Sequence, residues 1–181
     1  MAVWNVIDHT EVGTPTGSWT EGSIPASYDH LYLIASTRST EPSNIPSLTL
    51  QVGNSGLDTG SNYSQTRMYA STSTISSNRH TSIDGGKYFR TAPNWTSNWT
   101  ADTFGAMTVW IPNYANTSNY KQIFINASAP NMSTTDAQWE LQLGAVMWQS
   151  TSAITDVGLD AGSYNFMQYS TFTLYGINGA G

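Results

Sequence analysis

The chain has 181 residues and no cysteine, so disulfide bonds and thiolate chemistry are excluded. Charged residues make up only 10% of the sequence, against roughly a quarter in an average soluble domain, and the formal net charge is -6. The six cations form no basic stripe, so we expect no direct binding to a nucleic acid. No run reaches the roughly 18 apolar residues of a membrane span, so we expect no membrane anchor.

The first residues, MAVWNVIDHTEVG, lack the basic and apolar regions of a secretory signal, which predicts synthesis in the cytoplasm. The length suits one domain that spans residues 1–181. Seven Trp and ten Tyr favour strands, and spacers rich in Ser, Thr, Gly and Asn favour turns.

Nine or ten segments have the properties of β-strands. In 47–53, apolar side chains occupy every second position, which is the period of a half-buried strand. The clearest strand is QWELQLGAVMWQ at 138–149, where a row of apolar residues alternates with Glu140, Gln142 and Gly144. The candidate strands are 3–8, 31–35, 47–53, 66–70, 104–112, 121–126, 138–149, 154–159 and 171–177.

Turn-rich segments separate these strands, and no amphipathic helical stretch exceeds about two turns. The sequence therefore predicts an all-β fold, a single β-sandwich with long polar loops and no substantial helix, and a jelly roll is preferred over a barrel. The longest loop is expected at 70–87, where low complexity indicates a mobile or partner-ordered segment.

The segment GLDTGSN at 56–62 contains the Asp-Thr-Gly tripeptide of an aspartic protease half-site. Such a site needs a strongly apolar strand before the Asp and a second copy facing it, because two carboxylates share one proton. The residues before Asp58 are turn-forming and the tripeptide is not repeated, although a homodimer could supply the second copy. We expect Asp58 to be a turn residue without a catalytic role.

The three histidines, His9, His30 and His80, lack the spacing of metal ligands, so no metal site is predicted. Ser residues are abundant, but no Gly-x-Ser-x-Gly elbow and no phosphate-binding Gly loop occur. We therefore expect no catalytic residue and no cofactor.

Three tryptophans lie in polar surroundings and are candidates for contact with a ligand. Trp95, Trp99 and also Trp19 could stack on a sugar face or enter a pocket of a partner protein. The alternative is that Trp95 and Trp99 fold back over the end of the sandwich.

Residues 24–178 contain several different motifs that follow one another in a characteristic order. A strand that ends in an Arg-Ser turn is followed by four motifs: SNYSQTRMY at 61–69, YANTSNYK at 114–121, WQSTSAIT at 148–155 and FTLYGI at 172–177. In this order the chain resembles a family of small structural proteins of tailed bacteriophages, common in marine and cyanobacterial phages. Segment 71–89 departs from the family pattern, and residues 1–23 precede the match as an N-terminal strand and arm.

The resemblance implies a non-enzymatic virion protein. We expect a capsid decoration or cement protein that binds the major capsid protein and stabilises the shell, because a single sandwich without a fibrous shaft favours this role. The alternative is a tail-fibre or receptor-binding module that recognises host surface glycans. The resemblance also favours a homotrimer.

Overall fold

The computed structural model describes residues 3–40, 47–71, 74–90, 103–129 and 140–179. Within these ranges the chain forms twelve β-strands and no helix. The strands are β1 Val3–Glu11, β2 Ser18–Glu21, β3 His30–Thr37, β4 Leu48–Gly53, β5 Tyr63–Ser71, β6 Thr74–Ile83, β7 Gly86–Phe89, β8 Gly105–Pro112, β9 Lys121–Ala129, β10 Glu140–Trp148, β11 Asp156–Asp160 and β12 Thr171–Asn178.

The strands form two sheets. The large sheet has eight strands in the order β1-β12-β3-β8-β9-β10-β5-β6, and the small sheet has four in the order β2-β11-β4-β7. Each pair of neighbouring strands is antiparallel. The sheets pack face to face over one apolar core, which confirms the predicted all-β sandwich. The jelly-roll connectivity is compatible with this arrangement and stays a prediction.

The core lies between the two sheets and follows the period-two pattern of the sequence. Leu31 and Leu33 of β3 and Leu50 and Val52 of β4 are buried, while the residues between them are partly or fully open to solvent. Burial of apolar side chains is the main driving force of folding, so this alternation fixes which side of each strand faces the core.

The N-terminal residues contribute to both sheets. β1 runs along β12 at one edge of the large sheet, and β2 runs along β11 at one edge of the small sheet. Between them, Val12 is a core residue whose backbone N–H donates a hydrogen bond to Ser170. The segment expected to be a strand and arm thus supplies two edge strands of the sandwich.

The prediction of a long loop at 70–87 is wrong. Most of this segment forms β6, which pairs with β5 at the far edge of the large sheet, and the beginning of β7 in the small sheet. β6 escapes a hydrophobic pattern search because Ile75 and Ile83 are its only large apolar residues. An edge strand with largely open side chains can keep a polar sequence, since backbone hydrogen bonds to one neighbour hold it in place.

Candidate functional site

The candidate site is the outer face of the large sheet, defined as the side that points away from the small sheet. At the outer positions of the six central strands β12, β3, β8, β9, β10 and β5, the described residues include no Asp, Glu, Lys or Arg. The large apolar side chains that are exposed on this face are Trp4, Val6, Ile34, Met68, Ile75, Phe124, Leu141 and Leu143.

An aromatic row crosses the outer face because the strand registers place aromatic residues side by side. Tyr175 of β12 pairs with Tyr32 of β3, Tyr32 pairs with Trp110 of β8, and Trp110 pairs with Phe124 of β9. The ring of Trp4 from β1 meets Tyr32 and Tyr175 edge to face, with ring centroids 5.3 and 5.7 Å apart. Edge-to-face pairs of this kind stabilise the packing of the rings against one another.

Strand β10 presents its apolar row to solvent. Leu143 is 51% exposed and Leu141 is also exposed. Gln142, which lies between them, and Gly144, which follows Leu143, are buried. The alternation predicted for this strand is confirmed, but its apolar row lies on the outer face and its polar row faces the interior. In neighbouring β5, Met68 is likewise exposed.

The buried polar side chains here bind the backbone of β7, an edge strand of the small sheet, and of Arg90, the residue that follows it. Gln65 donates to the carbonyl of Lys87 at 2.9 Å and accepts from its N–H at 2.7 Å. Gln142 accepts a hydrogen bond from the N–H of Arg90 at 2.9 Å, and Arg67 donates to the carbonyl of Tyr88. These bonds connect the two sheets and satisfy groups at a strand edge, which gives a physical reason for the inverted polarity.

Asp58 lies in the turn between β4 and β5. Its carboxylate accepts hydrogen bonds from the backbone N–H of Gly60 at 2.8 Å, from the Asn62 amide at 2.9 Å and from the indole N–H of Trp148 at 2.8 Å. Partial burial by itself raises the pKa of the Asp58 carboxyl, but these three hydrogen bonds outweigh it and hold the pKa below its ordinary value. The carboxylate stabilises the turn and anchors the end of β10.

The structure corrects the expectation for one of the three tryptophans. Trp19 is only 5% exposed, its ring stacks on Phe172 at 5.2 Å, and its indole N–H lies within hydrogen-bond distance of Asp8 at 3.2 Å. A core residue between strands has no open ring face for a sugar. Trp95 and Trp99 lie outside the described residues.

The histidines are separated in space as well as in sequence. His9 of β1 contacts the Thr173 hydroxyl on β12 at 2.8 Å, and His30 of β3 accepts from the backbone N–H of Asn113 at 3.1 Å. His80 of β6 packs against the ring of Tyr88. In the part of the chain that the structure describes, no three His, Asp or Glu side chains come close enough together to hold a metal ion.

The apolar residues of the outer face are the site residues that the search for motifs missed. A signal for them exists in the sequence, because 31–35 reads LYLIA and 109–111 reads VWI, without polar residues between the apolar ones. An antiparallel strand that is apolar on both faces is expected where both faces are covered. The small sheet covers only the inner face.

Comparisons with known protein families, with curated proteins and with solved structures found no match. Over the described ranges there is no helix of the length and apolar character needed to cross a membrane.

Proposed function

We propose that this chain is a non-enzymatic structural protein of a tailed-phage virion, and that within the virion it decorates the capsid and stabilises the shell. The observation that carries the proposal is the outer face of the large sheet, where eight large apolar side chains are exposed and the described outer positions of the six central strands carry no charge. Exposed patches of this kind mark surfaces that bind other macromolecules. The order of motifs in the sequence supplies the link to phage structural proteins.

The chemistry of the surface supports an action by docking. Rigid aromatic side chains offer a large contact area at a low cost in conformational entropy, and neutral Ser, Thr and Asn groups form hydrogen bonds that depend little on salt. A protein of this type stabilises a shell by bridging neighbouring capsomers, since each bridge adds interface area where internal pressure separates them. The partners in this proposal are the major capsid protein and further copies of the chain, with a homotrimer as the expected oligomer.

Purified particles provide the test of the capsid role. We expect this chain in hundreds of copies per particle when it is quantified against the major capsid protein, and we expect particles depleted of it to burst at lower temperature or ionic strength. A copy number in the tens, with unchanged shell stability after depletion, would contradict a decoration role.

A tail-fibre or receptor-binding module for host glycans is the second candidate. The observation that favours it is Trp4, whose side chain is 52% exposed at the end of the aromatic row. Such a ring can stack on the apolar face of a sugar. Binding on a glycan array that is lost in Trp4→Ala, and also in Trp95→Ala and Trp99→Ala, would favour this function over capsid decoration.

A further inference from the structure

We propose that the outer face of the large sheet is covered by the same face of another copy of this chain. The inference rests on the docking role proposed above and names the occupant of that surface. It is carried by three properties of the face: its size, its charge and its relief.

The size of the face fits a stable interface between proteins. Eight strands at about 4.8 Å spacing and about 28 Å in length give a surface on the order of 1,000 Å². A standard interface buries about 800 Å² on each partner. The face is thus large enough to hold two copies together by itself.

The distribution of charge favours a second copy as the occupant. The chain carries a net charge of -6, and several of its acidic groups lie on the small sheet and in the turns: Glu21, Asp58, Asp84, Asp156 and Asp160. Two copies that meet through their outer faces keep these groups apart, because the six central strands contribute no charge to the contact. Charged side chains occur at outer positions only on the edge strands, with Glu11 on β1 and Arg79 on β6, so a strongly charged partner would find no complementary group on the six central strands.

The face carries both exposed apolar side chains and an apolar depression that could receive them. Leu143 and Phe124 are exposed, and near them Leu141, Ala106 and Ser128 line a shallow, largely apolar depression. Protruding apolar side chains of one copy can enter the depression of another, as the inner faces of two sheets interdigitate in a sandwich. Under a two-fold axis the whole face can meet its copy, and under a three-fold axis each neighbour covers part of it. Leu143 on β10 and Phe124 on β9 lie near the middle of the sheet and fall within the contact in both cases.

The first experiment measures the mass of the full chain by sedimentation across a range of protein concentrations. We expect wild type to form a dimer or trimer, and Leu143→Lys combined with Phe124→Lys to weaken self-association by more than about tenfold, because two desolvated charges enter the apolar contact. Val3→Lys is the matched control: Val3 is also 51% exposed, but it alternates with Trp4 and so points to the other side of β1.

A second experiment does not depend on how well the lysine variant folds. The chain contains no cysteine, so Leu143→Cys introduces a single thiol at the face. We expect its alkylation rate by a maleimide to fall as protein concentration rises, while the rate for Val3→Cys stays constant.

Three results would overturn the inference: a wild-type monomer at every concentration, an oligomer that the lysine substitutions leave intact, or a Leu143→Cys rate that is independent of concentration. A monomer that still occurs on particles in hundreds of copies would leave the capsid role standing. An oligomer that is absent from particles would leave the interface standing and remove the capsid role.

Discussion

The Asp58 carboxylate connects the turn after β4 to the end of β10, and this contact depends on its ionised state. Its folded-state pKa lies below the ordinary value because hydrogen bonds from Trp148, Asn62 and Gly60 outweigh the effect of partial burial. A carboxyl with a depressed pKa stabilises the fold fully above its unfolded pKa of about 3.9, and this stabilisation is lost as pH falls through the folded pKa.

We expect Asp58→Asn to lower the free energy of unfolding by about 1–2 kcal/mol at neutral pH, since an amide replaces a charged acceptor. The deficit relative to wild type is expected to shrink as pH falls below about 4. Chemical denaturation of both proteins at several pH values measures this difference in the free energy of unfolding. The contributions of the other carboxyl groups are the same in both proteins and cancel in the difference. A deficit that is independent of pH would show that the charge of Asp58 does not stabilise the turn.

The hydroxyl group of Tyr63 forms several hydrogen bonds with the backbone. Its side chain is buried, its hydroxyl lies 2.7 Å from the Val52 carbonyl and 3.0 Å from the Asp58 carbonyl, and it accepts the N–H of Val52 at 3.1 Å. Burial raises the pKa of Tyr63 far above its ordinary value, so the hydroxyl stays neutral and acts as a donor.

Tyr63→Phe keeps the ring and removes only this hydroxyl. We expect a loss of about 1–3 kcal/mol in the free energy of unfolding, because a buried backbone N–H and a carbonyl lose their partner. Tyr120→Phe, at an exposed tyrosine, is the control and is expected to leave stability unchanged. Equal stability of Tyr63→Phe and wild type would mean that water replaces the hydroxyl.

At the scale of elements, β10 and β7 depend on each other through one close approach. A Cβ on Gly144 of β10 would meet the ring of Phe89 of β7 at 2.4 Å, so only glycine lets the two sheets come this close. Phe89 is fully buried, and its ring occupies the space that a side chain at 144 would need.

We expect Gly144→Ala to destabilise the protein by about 1–3 kcal/mol, because the added methyl group overpacks the core between the sheets. Gly13→Ala is the matched control, since a Cβ at Gly13 has no neighbour within 4 Å, and it is expected to be neutral or slightly stabilising. Thermal unfolding of both variants measures the difference. Equal melting temperatures would indicate that Phe89 moves aside without cost.

The strands also show how far local sequence determines an element. β3, β4 and β8 are recognisable because their apolar residues recur with period two and face a covered side. β6 and β7 are not recognisable, because β6 is a polar edge strand and β7 has only four residues, with the Gln65 side chain of β5 bound to its backbone. β6 pairs with the preceding strand β5, so its polar sequence alone hides it, whereas the partners of β7 lie in β4 and β5, where no local pattern shows them.

At the scale of the whole molecule, the low charge content predicts how assembly responds to salt. The proposed contact surface has no charged group on its six central strands, so screening has no ion pair to weaken there. We expect the dissociation constant for self-association to change by less than about twofold, or to decrease, when NaCl is raised from low to seawater concentration. Analytical ultracentrifugation at both concentrations measures it, and marked dissociation at high salt would indicate that charged groups hold the copies together.

The sequence by itself determined the class of the fold. Alternating apolar residues, many aromatic residues and frequent turn residues predict a sandwich without helix, and the position of Asp58 among turn-forming residues predicts its place in a turn. These features act through neighbours along the chain or through strand periodicity, so a linear pattern is enough to recognise them.

Only the tertiary structure decided which side of each strand faces the interior and which tryptophans are covered. Leu143 and Gln142 alternate in the sequence as predicted, but Gln142 faces the interior, where it accepts a hydrogen bond from the N–H of Arg90 just after β7, and the leucines therefore face outward. Trp19 stacks on Phe172, although the two residues lie far apart in sequence. The reason is physical: the side of a strand is set by which element packs against it, and that element is chosen when the sheets come together.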